Sequence, residues 1–379
     1  MDIYIIMKHF TVFIVLTFFL VSCRNAKDKS EGQLVLNFEA QTPSTFFSNN
    51  LFGKVELIPL ETKDDCLVGR EPVALLFDNH HFFIKDDQQE IIFRFDRTGK
   101  FINTIGQRGM GPEEYSAIYD LYIDTVATVV EIVAQSGQMM RYDYDGKFIS
   151  KQNYDESLLS FIKTGNHYWF YTHQITGDDR LMKVSGDGTV IAKFLPSKTN
   201  WMPVIVTNYF DQCGDWITWK DMFSHTVFRI TDEGPVETTV IDFGKHAIPE
   251  RLYKMDMRDA IQELNSKDYA GIFKYLENDQ FIYLFFFIVG IRDLPNDHYH
   301  WIVNKKTGNS VLHKLLPDSH TSDDNLFRGA KALTADNKLI FMMSTQMLND
   351  PFFSNADSIK SSLTEESNPV IVILQVNDF

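Results

Sequence analysis

Apolar and polar residues alternate with a period of two along the body of the chain, and short glycine-bearing turns interrupt the alternation. A period of two is the mark of half-buried strands, whose successive side chains point to opposite faces of a sheet. Ile91-Ile92-Phe93-Arg94-Phe95-Asp96 passes through Arg97-Thr98-Gly99-Lys100 into Phe101-Ile102. The pattern returns in Met139-Met140-Arg141-Tyr142-Asp143, followed by Tyr144-Asp145-Gly146-Lys147 and Phe148-Ile149. Weaker copies join 181–184 to the turn at Gly188, 227–230 to Gly234, and 301–303 to Gly308. In each hairpin the glycine supplies the positive φ of a tight turn, and an Asp or Asn side chain caps it.

The turn glycines fall at 99, 146, 188, 234 and 308, so the gaps are 47, 42, 46 and 74 residues. Repeated hairpins with a period in the forties predict propeller blades of four strands. The long gap holds a helix-like insertion from Pro249 to about Lys267, with Leu252, Met255, Ala260, Ile261 and Leu264 on one face. Inner strands precede the hairpins at 81–84, 120–124, 129–133, 167–172, 216–219 and 281–289. After Lys314 three more strands are expected, at 330–333, 339–343 and 370–376. A fourth from the amino end, Val55–Leu60, completes their sheet and removes an exposed edge. The expected fold is all-β: a six-bladed β-propeller over residues 51–379, closed by its N- and C-terminal strands, with the helical insertion at about 249–267. Seven blades and a two-sheet sandwich are the alternatives, and sandwiches do not repeat at this spacing.

The amino end has a different character. Lys8 and His9 precede an apolar run, Phe10–Leu20, that ends in Leu20-Val21-Ser22-Cys23. The run has the length of a signal-peptide core and is short for a membrane span. Its end looks like a lipobox, with a small residue before a thiol that receives the lipid. Residues 1–22 are therefore expected to be a lipoprotein signal peptide, with Met7 an alternative start. Cys23 is the expected lipidation site, and 23–50 a polar tether. Acyl chains bury about 0.8 kcal/mol per methylene, which makes the membrane a partner through the lipid. Arg24–Lys29 carries no acidic export cluster, which favours the periplasmic face of the outer membrane over the cell surface.

Composition narrows the partners. A net charge of −15 leaves no basic stripe for nucleic acid. Thirty-two Phe and fifteen Tyr suit pleated sheets. Cys66 and Cys213 are either bridged or two separate buried thiols.

Gly106-Gln107-Arg108-Gly109-Met110-Gly111-Pro112-Glu113-Glu114-Tyr115 follows the first hairpin, and Val55–Thr62 forms the opening strand. Together they resemble the six-bladed β-propeller lipoproteins of Gram-negative gut anaerobes, a group similar to NHL-repeat and TolB-like propellers. Glu113 stands where that family usually has Gly. The resemblance implies the fold and the lipid anchor and says little about activity.

Two readings of the glycine-rich segment stay open. It is an inter-blade crossover, or its amides and Arg108, with Gly109, Gly111 and Tyr115, hold an anionic group at the channel mouth. No catalytic residue set stands out: there is no Gly-x-Ser-x-Gly and no His-Glu-x-x-His. His298-x-His300 is half of a metal site at most. Asp86, Asp87, Asp120 and Asp124 could hold Ca²⁺ or Zn²⁺ in a central channel, as in propeller lactonases. Tyr168–Tyr171 and Trp216-x-x-Trp219 offer sugar-stacking rings or fill the space between blades. The expected function is a lipid-anchored binding module for a protein or glycan partner, without a cofactor. The alternative is a metal-dependent hydrolase or lyase with its site in the channel, to be decided by whether three or more donors converge there.

Overall fold

In the computed structural model the described residues are 33–69, 73–172, 179–197, 209–290, 296–315 and 329–379. The expected leader, Cys23 and the first part of the tether lie outside them. Hairpin logic organises everything else. A tight turn joins the innermost strand of each blade to its neighbour, and each finished sheet hands the chain to the innermost strand of the next. Blades 1 to 5 span 73–105, 118–153, 158–196, 210–242 and 270–314. Blade 6 takes its three inner strands from 332–376 and its outermost strand, Phe52–Pro59, from the amino end. That strand runs antiparallel to Val370–Val376, with Val55 opposite Leu374 and Leu57 opposite Val372. Six blades closed by both ends of the chain is the arrangement the repeats predict.

The turn glycines meet two demands at once. Gly99, Gly146, Gly188, Gly234 and Gly308 all have positive φ. A Cβ on Gly99 would lie 2.1 Å from the Pro59 carbonyl oxygen, and one on Gly146 would lie 2.6 Å from that of Thr104. These turns rest directly on the outermost strand of the preceding blade, so glycine fixes the contact between blades as well as the turn. The Asp caps are also in place. Asp96 Oδ1 accepts from the amides of Thr98 (2.8 Å) and Lys100 (3.0 Å), and Asp143 Oδ1 from that of Lys147 (2.8 Å).

The amino-terminal segment is more structured than a tether to residue 50 would be. Leu34–Asn37 adds a parallel fifth strand to the outer edge of blade 4, with Leu34 opposite Thr239. The chain then crosses blade 5, where Ser44 N donates to the Leu312 carbonyl (2.7 Å) and the His313 ring to that of Ser44 (2.7 Å). Phe46 follows with no exposed surface, stacked on His300 at 4.7 Å and edge-on to Phe52 at 5.2 Å. Residues 34–59 thus form a belt across blades 4, 5 and 6. The pattern 34–50 lacks strict alternation, which is why its apolar anchors read as linker.

One further expectation is revised. The insertion is a 3-10 turn, Glu250–Lys254, followed by an α-helix only at Met257–Ser266, capped by Asp256 accepting from Arg258 N. Leu252, Ala260 and Leu264 are buried against Met222, Phe223 and Phe287, while Met255 and Ile261 are half-buried. Cys66 and Cys213 are separate, unbridged, buried thiols. Among the described residues no helix is long and apolar enough to cross a membrane.

Because the belt closes the ring, loss of its anchor is expected to be costly. Phe46→Ala should lower the unfolding free energy by about 3–5 kcal/mol, the usual range for emptying a buried Phe site. Denaturant unfolding of wild type and variant measures it, and a change within experimental scatter would count against the belt's role in closure.

Candidate functional site

The six innermost strands surround one axis. A cavity of about 430 Å³ lies on it, with lining from every blade. Phe77, Leu121, Ile123, Phe161, Phe210 and Leu333 give it apolar walls. Thr125, Gly214 and Ala335 belong to the short turns, so the cavity reaches that face of the disc. At the opposite end, near the starts of the innermost strands, the lining turns polar with Asp120, Asp211, Lys274 and Lys331.

These charges come from four blades, Asp120 from blade 2, Asp211 from blade 4, Lys274 from blade 5 and Lys331 from the start of blade 6. Asp120 is buried on blade 2. Its Oδ2 accepts from Ser160 Oγ (2.5 Å) and Phe161 N (3.0 Å) of blade 3, and its Oδ1 from Leu121 N (2.8 Å). Burial still dominates over those bonds and pushes its carboxyl up to about 6. Asp211 of blade 4 pairs with Lys274 of blade 5, and burial raises its pKa too. Lys220, 1% exposed, donates to the Ile272 carbonyl (3.0 Å), and burial pushes it down to about 8. Lys85 pairs with Asp87 on blade 1.

A divalent cation does not fit this donor set. Among the described residues no three His, Cys, Asp or Glu side chains come together as metal ligands. Asp86 accepts from the Gly69, Gln88 and Gln89 amides, and Asp124 from Lys163 Nζ (2.6 Å) and the Val126 and Ala127 amides. His298 and His300 are packed among rings instead. His300 Nδ1 shares a hydrogen bond with the Tyr283 hydroxyl at 2.8 Å, and His298 stacks on Phe273. Among the described residues the His, Cys, Asp and Glu side chains do not make the three-donor convergence that the hydrolase reading calls for.

The glycine-rich segment is the crossover from blade 1 to blade 2, and the cavity lining does not include it. Three of its backbone amides are spent within the loop. Gly111 N donates to Glu114 Oε2 (2.8 Å), Gly109 N to the Tyr115 carbonyl (2.9 Å), and Tyr115 N to that of Gln107 (3.1 Å). The Glu114 carboxylate lies where a Cβ on Gly109 would sit. Tyr115 is buried, its hydroxyl donating to the Ile105 carbonyl (3.2 Å), and Arg108 bridges to it through the backbone. An internal carboxylate thus takes the place proposed for an anionic ligand. Tyr168–Tyr171 and Trp219 are buried between blades. Trp216 is only half-buried, but Arg229 and Lys305 lie over its ring at 3.9 and 4.1 Å, and its Nε1 donates to Asp279 (2.5 Å). The rings therefore fill space or hold cations.

Sequence reasoning singled out Asp120 and missed Lys220, Lys274 and Lys331. One signal was available for Lys274, a lysine inside the otherwise apolar run Ala270–Leu276 of an innermost strand. Asp120 also gives a pH signature. Its pKa is raised from the ordinary 3.8, so its contribution to stability is fully present below that value and is lost as pH rises through about 6. Between about pH 4 and pH 7.5, wild type should lose on the order of 3 kcal/mol relative to Asp120→Asn, which cannot titrate. Urea unfolding of both proteins at the two pH values tests this, and parallel profiles would refute it.

The fold recurs in solved structures. That of a Bacteroides fragilis protein designated as exported superposes with a TM-score of 0.73 at 15% identity, covering 91% of this chain and 99% of that one. A member of the DUF4221 family from Bacteroides vulgatus gives 0.57 at 8% identity, covering 88% of this chain and 100% of the other. At such identities the likeness shows the fold alone. No curated protein matches the chain. The model of a domain of unknown function, DUF4934, matches residues 34–375, and the chain belongs to that family.

Proposed function

We propose that the protein is exported, held in the cell envelope by lipid on Cys23, and acts as a binding module for a protein or glycan partner. The observation that carries this reading is the inequality of the two faces. Every turn within a blade that is described on one face is short, from the pair Gly165-Asn166 to the five residues 305–309. The other face carries the crossovers between blades and two long excursions, 243–269 and 344–369. In repeat architectures such insertions gather on one face and shape its recognition surface.

The insertion at 243–269 has the division of labour a docking element needs. Its inner side is anchored by Leu252 and Leu264, and the Arg251–Glu263 ion pair at 2.5 Å ties the turn to the helix. Its outer side leaves Met257, Arg258, Asp259 and Gln262 exposed on a rigid support. The exported Bacteroides relative and the apolar leader ending at Ser22-Cys23 support an envelope location.

Both halves of the proposal can be tested in the native cell. Cys23→Ser should move the protein out of the membrane fraction and abolish incorporation of labelled palmitate; retention of both would sink the anchor. Met257→Asp combined with Arg258→Glu alters only exposed side chains, so the fold should be unchanged. Crosslinked partners recovered from envelopes should fall at least about tenfold, the effect of losing a central contact. Undiminished recovery would place the partner elsewhere.

A further inference from the structure

The axial cavity is a second feature, independent of the surface partner. Its volume of about 430 Å³ falls within the range of small-molecule sites. Its charged lining is self-contained. Asp120 and Asp211 stand with Lys274 and Lys331, so the four formal charges cancel. Asp211 pairs with Lys274, and Asp120 accepts from Ser160 Oγ, Phe161 N and Leu121 N. Asp87 pairs with Lys85 and also attracts Lys331. The buried carboxylate of Asp86 is taken up by the Gly69, Gln88 and Gln89 amides. A charged ligand would shed its water here without gaining a free counter-charge, and burying an ion on those terms is unfavourable.

What remains for a ligand is uncharged. Phe77, Leu121, Phe161, Phe210 and Leu333 line the cavity from five of the six blades. Toward the short turns the polar lining is Thr125, Gln212 and Thr334, none of which carries a charge. At the other end the bonds of Asp120 with Ser160 and of Asp211 with Lys274 tie neighbouring blades together. The cavity thus runs from a hydroxyl-bearing mouth, along apolar walls, to charges that are already engaged.

We propose that the axial cavity is a binding site for a small neutral amphiphile. Its apolar body lies along Leu121, Phe161 and Phe210, and a hydroxyl or other uncharged polar group sits at the mouth near Thr125 and Thr334. The cancelled charges select against ions of either sign, and the walls select for a hydrocarbon or aromatic body. The ligand enters from the face of short turns, past Cys213.

Three probes with one body and different charge test this: 3-phenyl-1-propanol, 3-phenylpropionate and 3-phenylpropylamine. The full chain in lipid nanodiscs is titrated calorimetrically with each at pH 7, and empty discs serve as the blank for partition into lipid. Cys213 makes the test site-specific, because it lines the cavity while Cys66 has no exposed surface. The rate at which N-ethylmaleimide modifies Cys213 is followed in parallel by mass spectrometry of its peptide. The expected result is one saturable site per chain for the alcohol, with both ions weaker by about tenfold or more. The alcohol alone should slow Cys213 modification. Ala332 also lines the cavity, and Ala332→Leu fills part of it. That variant should weaken the alcohol about tenfold, and an unchanged unfolding midpoint shows that it keeps the fold. Prior alkylation of Cys213, which needs no variant, should abolish alcohol binding. Binding of either ion as tight as that of the alcohol overturns the proposal. So does no saturable binding of the alcohol up to about 10 mM, the weak limit of specific affinity. Binding that leaves Cys213 unprotected, or that survives its alkylation, overturns it as well.

Discussion

Ring closure is the constraint on which the other features of this molecule rest. Six sheets arranged about an axis leave no free edge between blades only if the last meets the first. Here the meeting is made inside blade 6, where Phe52–Pro59 pairs with Val370–Val376. The segment before it keeps going around the rim, giving blade 4 a fifth strand at Leu34–Asn37 and touching blade 5 through Ser44 and Leu312. Backbone pairing of the two chain ends makes opening the ring cost a whole strand's hydrogen bonds together with a buried aromatic cluster around Phe46. The turn glycines extend the same logic between neighbours, because Gly99 and Gly146 let one blade's turn touch the backbone of the blade before it.

Closure also decides where charge can be placed. Between blades the space is filled by rings and aliphatic chains, and ionisable groups enter there only with partners, as Glu131 does with Arg141 (2.9 Å) and Tyr168 (2.8 Å). At the axis the innermost strands diverge enough to leave a cavity, and side chains near their starts converge from different blades. Asp120 reaches Ser160 on the next blade, and Lys274 reaches Asp211 on the previous one. Such cross-blade pairs form only once neighbouring blades have docked. Their burial costs free energy that the surrounding apolar packing must exceed.

This explains what could be read from the chain in advance. Hairpins are local, so the Asp96–Gly99 and Asp143–Gly146 turns announce themselves within a dozen residues, and their repetition yields blade number and closure. The strand at Val55–Leu60 was recognisable because blade 6 lacked one. The belt at 34–50 was not, since its anchors Leu36 and Phe46 follow no period and owe their burial to distant blades. The axial group was opaque for a related reason. Asp120, Asp211, Lys274 and Lys331 are more than fifty residues apart, and only the superposition of blades makes them neighbours. The glycine-rich segment is the inter-blade crossover that was one of its two readings, and His298 and His300 are core rings.

The two faces of the disc differ for a topological reason. On the face of short turns the links from first strand to second and from third to fourth are tight hairpins, whose length is set by the register. A crossover joins an outermost strand to an innermost one in the next blade, and the return from the second strand to the third can also bulge outward at 344–369. Added residues on that side cost only loop entropy, which grows slowly with length. Sequence change can therefore remodel the crossover face, including the Met257–Ser266 helix, while the cavity at the opposite mouth keeps its lining.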